Sequence, residues 1–196
     1  MSDWFEGAYH DISFSVEKCR RYHALMQANY DRWYNLIRVA TALTGTSGFF
    51  ALVAGGTETA KVLTGIVAAA ATFDQVFRFN RKARTHEALT RRFTDLSSKI
   101  AGWEPTPANL KKARAERIRI ERDEPPVKRL IDLLAQNEEV RARGISDDYC
   151  VPLSRWQRRF GYVWTFGMLR LERWEAEQRK FKPTTSQQEP ADSTGA

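Results

Sequence analysis

The residues able to do chemistry are few and do not assemble into a recognisable constellation. His10, His23 and His86 are scattered, neither Cys19 nor Cys150 belongs to a Cys–His catalytic motif, and no serine lies in a nucleophile-elbow context. The two cysteines also lack metal-ligand spacing, and two in a chain of this size make no disulfide framework. A reducing, intracellular setting is expected for the soluble part. Most carboxylates have arginines at helical spacing, which is the chemistry of ion pairs and not of acid–base catalysis. No enzymatic activity, metal or cofactor is expected. One carboxylate stands apart: Asp74, followed by Gln75, lies inside an apolar run. It can pair with Arg78 one turn on, snorkel to an interface, or face a water-filled lumen.

That run belongs to the elements that dominate the chain. Residues 39–56 carry no charge, and residues 62–77 form a second apolar segment, rich in alanine. Eighteen residues give a helix of roughly 27 Å, just enough for the hydrocarbon core of a bilayer. The first segment is only weakly hydrophobic, because Thr41, Thr44, Thr46, Ser47 and several glycines interrupt it. Gly55-Gly56 signals a tight turn, with Thr57 or Thr59 available to cap the second helix, so the two segments are expected to be antiparallel neighbours. Gly45, Gly48, Gly55, Gly65 and Thr72 permit close backbone approach in lipid and, with Asp74, are the candidate packing or pore positions.

The fold expected around this hairpin is all-α. A helix from about Ser15 carries Tyr22, Met26, Tyr30, Trp33 and Ile37 on one side and runs without a break into residue 39. The second apolar helix is expected to continue past residue 77, with Leu89, Phe93, Leu96 and Ile100 on a face that could meet those aromatics. Thr106-Pro107 starts a charge-dense helix. Its bases at residues 111–122 interleave with Glu116 and Glu121, so a solvated face is expected there and nucleic acid is not expected as a partner. Asp123-Glu124-Pro125-Pro126 opens another helix, with Val127, Leu130, Ile131 and Leu134 as its stripe and Gly144 as its end. Ser154 and Gln157 make a capping box before a last helix to about residue 181. Its Trp156, Tyr162, Trp164 and Trp174 sit among arginines, as in a helix at a membrane interface or packed on a helical bundle. The chain then divides into an N-terminal segment (1–15), the hairpin with its helical extensions (16–144), the aromatic-basic helix (145–182) and a disordered tail (183–196).

Charge orients the hairpin. The formal charge is +7, which suits an anionic surface. Arg20, Arg21, Arg32 and Arg38 precede the first segment, and Arg78, Arg81, Lys82, Arg84, Arg91 and Arg92 follow the second. The connecting turn offers only Lys61, balanced by Glu58. By the positive-inside rule this is a multi-pass protein of the inner, cytoplasmic membrane with both termini cytoplasmic. The N-terminus has neither the basic nor the apolar region of a signal peptide, so targeting is expected from the internal segments.

The order of these features resembles the SLATT domains (SMODS/SLOG-associating two-transmembrane effectors) of prokaryotes. Carrying the resemblance are Tyr30-Asp31-Arg32-Trp33, the two apolar segments with their short turn, Phe77-Arg78-Phe79-Asn80-Arg81-Lys82-Ala83-Arg84-Thr85-His86, the continuation through Arg92-Phe93 to Leu96, and Asp123-Glu124-Pro125-Pro126. It covers residues 16–143. The resemblance implies an oligomeric effector of a bacterial conflict or antiviral defence system, one that perforates or depolarises the membrane when a partner senses infection, often through a nucleotide signal. The chain has no glycine-rich phosphate loop and no nucleotidyltransferase-type motif, so the sensor is expected to be a separate polypeptide. Partners are therefore the bilayer, further copies of the chain and that sensor. A non-pore anchor or scaffold, or a soluble helical interaction module, are the alternatives.

Overall fold

The computed structural model describes residues 3–162, and all regular structure in them is helical. The first helix, α1, runs from Asp3 to Val53, a rod of roughly 77 Å. It starts well before Ser15. Phe5, Ala8, Ile12 and Val16 are buried at spacings of three and four, so the apolar stripe extends backwards through what the sequence sets apart as an N-terminal segment. The helix ends at the turn the glycines announce. Gly55 takes φ +77°, a left-handed conformation open to glycine without strain. The Gly56 carbonyl accepts from Ala60 N–H at 3.0 Å, opening α2, Thr57–Phe77.

The helix does not continue through residue 78 as the sequence suggests. Arg78 adopts φ 49°, ψ 48° and separates α2 from α3, Phe79–Gly102. A non-glycine residue in this region costs about 1–2 kcal/mol, so the break is held by the packing on either side. On α3 the residues Phe79, Ala83, His86, Leu89, Phe93, Leu96 and Ile100 are buried in one stripe. The register differs from the expected one. Leu89 to Ile100 pack on Phe5, Ala8, Ile12 and Val16, and the aromatic face of α1 meets Phe79 and His86 instead.

Two shorter helices complete the body. Thr106 caps α4, Pro107–Glu121, accepting from Asn109 N–H with Pro107 in the first turn. It contributes Leu110, Ala113 and Ile120 to the core with α1 and α3. Helix α5, Arg129–Ala142, packs Ile131 and Ala135 on Tyr22 and Met26 of α1. Val127 lies before α5 and is 53% exposed, so it is not part of the buried stripe. Polar ties across this seam are specific. Glu139 is buried between Arg21 (2.7 Å) and Arg143 (2.6 Å), and Lys18 meets Asp132 at 2.9 Å. The buried Asn137 amide donates to Val151 O (2.8 Å) and accepts from Val151 N–H (2.7 Å). This fixes the segment between Gly144 and the Ser154–Gln157 capping box, after which α6 spans Arg155–Phe160; the expected course of the last helix from residue 163 and the tail 183–196 lie outside the described residues.

Candidate functional site: the helical arm and its base

Beyond residue 36, α1 and α2 leave the body as a two-stranded arm in which each is the other's main support. Ile37, Ala40, Thr41 and Thr44 on α1 and Leu63, Val67 and Ala70 on α2 are half-buried. Two helices alone can cover only one side of each other. Leu36, Val39, Leu43, Phe50 and Val53 consequently form an exposed stripe on α1, as do Val62, Ile66 and Val76 on α2, each 46–70% exposed. A soluble monomer seldom leaves so continuous an apolar surface uncovered. The stretch Ala60–Gly102 contains a window long and apolar enough to cross a membrane, and only 7% of that window is buried.

Three of the four hydroxyls that weaken the first segment are satisfied within it. Thr44 donates to Ala40 O (2.6 Å), Thr46 to Ala42 O (2.8 Å) and Ser47 to Leu43 O (2.8 Å). Thr72 does the same to Ala68 O at 2.8 Å on α2. Such back-bonding removes the demand for water, so these side chains are compatible with hydrocarbon. A methyl group at Gly45 or Gly65 would meet nothing within 4 Å. Their small size is therefore not used between α1 and α2; it leaves smooth patches on the outside of the arm. Gly48 and Asp74 lie on α1 and α2.

At the base of the arm the chain changes character within one turn. Phe77 and Phe79 stack across the Arg78 break, 5.6 Å apart and 12° from parallel, and Trp33 stacks on Phe79 at 6.3 Å. Arg38 lies over Tyr34 at 5.5 Å. Lys82 reaches the Tyr30 and Phe77 rings, Arg84 pairs with Glu87 at 2.7 Å, and Arg81 is exposed. Of the membrane-flanking bases read from the sequence, Arg38 and Lys82 thus lie against aromatic rings at the base of the arm. Trp156 is 74% exposed near the start of α6, and Tyr162 is half-buried beside Lys128. Trp164 and Trp174 lie outside the described residues.

Beneath these rings lies a buried polar chain that the sequence conceals. His23 and His86, 63 residues apart, face each other through their Nδ1 atoms at 2.8 Å, and His23 Nε2 is 3.2 Å from Glu124 Oε1. Both imidazoles are buried. Two neutral rings satisfy every contact if His86 Nδ1–H donates to His23 Nδ1 and His23 Nε2–H donates to the Glu124 carboxylate. Burial, reinforced by His23 and Lys128, pulls His86 down to about 4, which keeps it neutral at pH 7. Phe93 stacks on His23 at 5.5 Å and Tyr30 on His86 at 5.6 Å. The network joins α1, α3 and the Pro125-Pro126 linker, the three pieces that meet under the arm. Cys19 stands one turn from His23, but burial and the Glu124 charge push its thiol up to about 11, away from nucleophilic use. Among the described residues no group of three metal-ligating side chains assembles.

The sequence shows His86 only as one of three scattered histidines; its pairing with His23 had no signal in the spacing. Comparison with family models, curated proteins and solved structures finds no match to this chain.

Proposed function

We propose that the chain is a membrane-inserted helical hairpin protein whose arm enters the bilayer as two antiparallel spans and self-associates there. The observation that carries this reading is the arm itself: apolar side chains exposed along both helices, hydroxyls bonded to their own backbone, and cationic side chains set against aromatic rings at its base. In that reading the belt around Trp33, Phe77 and Phe79 sits at the headgroup level, where aromatic rings and cationic side chains are favoured. The body and both termini lie on the cytoplasmic side.

Two helices enclose no channel, so a pore requires several copies. The smooth outer patches at Gly45 and Gly65 suit close helix–helix contact in lipid. The resemblance to SLATT domains extends the reading to an effector of bacterial conflict or antiphage defence, pore-forming or otherwise membrane-perturbing and triggered by a separate sensor acting on the body.

Fractionation with an alkaline wash tests insertion: the chain is expected in the membrane pellet, and its recovery in the wash would sink the proposal. Dye leakage from liposomes, comparing the chain with Asp74→Leu, tests the pore. Leakage altered by the substitution supports it, whereas no leakage under any trigger leaves a membrane anchor that recruits a cytosolic partner.

A further inference from the structure

At the junction of arm and body lies a cavity of about 330 Å³ lined by Asn29, Tyr30, Trp33, Phe77, Phe79, Lys82, Lys128 and Tyr162. Its walls are aromatic, and its charged groups are both cations. The Lys82 and Lys128 ammonium groups stand 5.8 and 6.0 Å from the centroid of one ring, Tyr30. Among the described residues neither pairs with a carboxylate: Lys82 contacts the Tyr30 and Phe77 rings, and Lys128 donates to the Tyr162 carbonyl. Elsewhere in the body most bases near the core have an acidic partner, as at Arg21–Glu139, Lys18–Asp132 and Arg92–Asp123. Burial and the Lys82 charge together lower the Lys128 pKa, so the pair is held together against its own repulsion. An anion between the two ammonium groups would relieve that repulsion.

We propose that this cavity binds a phosphate-bearing amphiphile, the phosphate bridging Lys82 and Lys128 and the apolar portion lying against Tyr30, Trp33 and Phe77. The cavity opens where the apolar arm begins. Resting on the membrane reading, this location assigns the phosphate to the headgroup of an anionic lipid, the chemistry basic pockets beside membrane helices take on the cytoplasmic side. A soluble phosphate compound presents the same group, and the experiment separates the two sources. Because α1, the Arg78 break and the Lys128 segment all border the cavity, its occupant would clamp the arm to the body.

The test uses the full chain in neutral detergent, with thermal melting followed against dihexanoyl phosphatidylglycerol, dihexanoyl phosphatidylcholine and glycerol 3-phosphate. Phosphatidylglycerol is expected to raise the melting temperature saturably and phosphatidylcholine not to. The K82Q/K128Q variant is expected to weaken the phosphatidylglycerol effect about tenfold or more, since each lysine makes a charge-assisted contact. K111Q/R114Q, which removes the same charge from exposed positions on α4 outside the cavity, is expected to leave it unchanged. Equal losses in both variants would mean that only surface charge acts, and the site would be overturned. If the double variant does not fold, K82Q alone, at an exposed side chain, carries the same comparison. A lysine-dependent response to glycerol 3-phosphate matching that to the lipid keeps the phosphate site and overturns its lipid source. No response to either phosphate compound, in a chain that resists alkaline wash, overturns the site and leaves the membrane reading standing. Lysine-dependent phosphate binding in a chain that the wash extracts does the reverse.

Discussion

Lowering the pH from 7 to 5 protonates an ordinary histidine but leaves His86 neutral in the folded chain, because burial, His23 and Lys128 hold its pKa at about 4. The unfolded chain, with a histidine pKa near 6.5, takes up the proton first. Folding stability from this group is therefore complete above pH 6.5 and is lost as the pH falls from there toward 4. At 1.36 kcal/mol per unit, the loss reaches about 2 kcal/mol by pH 5 and about 3 kcal/mol near pH 4. For a chain of this size 2 kcal/mol corresponds to about 4–8 °C in Tm. The assay is a series of thermal melts in neutral detergent at constant ionic strength, comparing the chain with His86→Gln. Glutamine can still donate to His23 Nδ1 but does not titrate. Its Tm is expected to be lower at pH 7 yet to change less between pH 6.5 and 5. An identical pH slope in the two proteins would refute the placement of a buried neutral imidazole at the base of the arm.

Three further perturbations probe the body and the break. Asn137→Ala leaves both the Val151 N–H and the Val151 carbonyl without their partner; a loss of about 2–4 kcal/mol is expected, read by denaturant melting, and faster proteolysis between Gly144 and Ser154 should accompany it. Glu139→Gln removes the charge shared by Arg21 and Arg143 and is expected to cost about 2–3 kcal/mol, whereas an exposed control such as Glu58→Gln should change stability by no more than about 0.5 kcal/mol. At Arg78, valine is expected to be less stable than glycine by about 1–2 kcal/mol, since only glycine occupies φ 49° without strain; equal melting of the two variants would show that the break is not left-handed.

Local chemistry made much of this architecture legible. Thr106-Pro107, the Ser154–Gln157 box, the Gly55 turn and the Gly144 stop each specify a boundary through their own backbone demands, and each is found where its residues stand. The 3-and-4 spacing of Leu89, Phe93, Leu96 and Ile100 marked a buried face correctly. What they pack against was not legible, because the register of two long helices depends on where both begin. The start of α1 was hidden, since Phe5, Ala8, Ile12 and Val16 are diluted by polar neighbours. The Arg78 break gave no warning either: arginine is a good helix former, and the strain there is imposed by tertiary contacts. The base of the arm was the least readable part. His23, His86, Glu124 and Lys128 come from three separated segments, and only the return of α3 along α1 brings them together.

Insertion of the arm as two spans, with its tip on the far side, is tested most directly by labelling its connecting turn. Glu58, exposed at the start of α2, is changed to cysteine in a background in which Cys19 and Cys150 are serine. Intact cells are then treated with a membrane-impermeant maleimide. The expected result is rapid labelling of residue 58 without lysis, while a cysteine at exposed Ser98 on α3 reacts only after the membrane is opened. Labelling of both positions only after lysis would place the turn and the body on the same side and contradict the two-span hairpin.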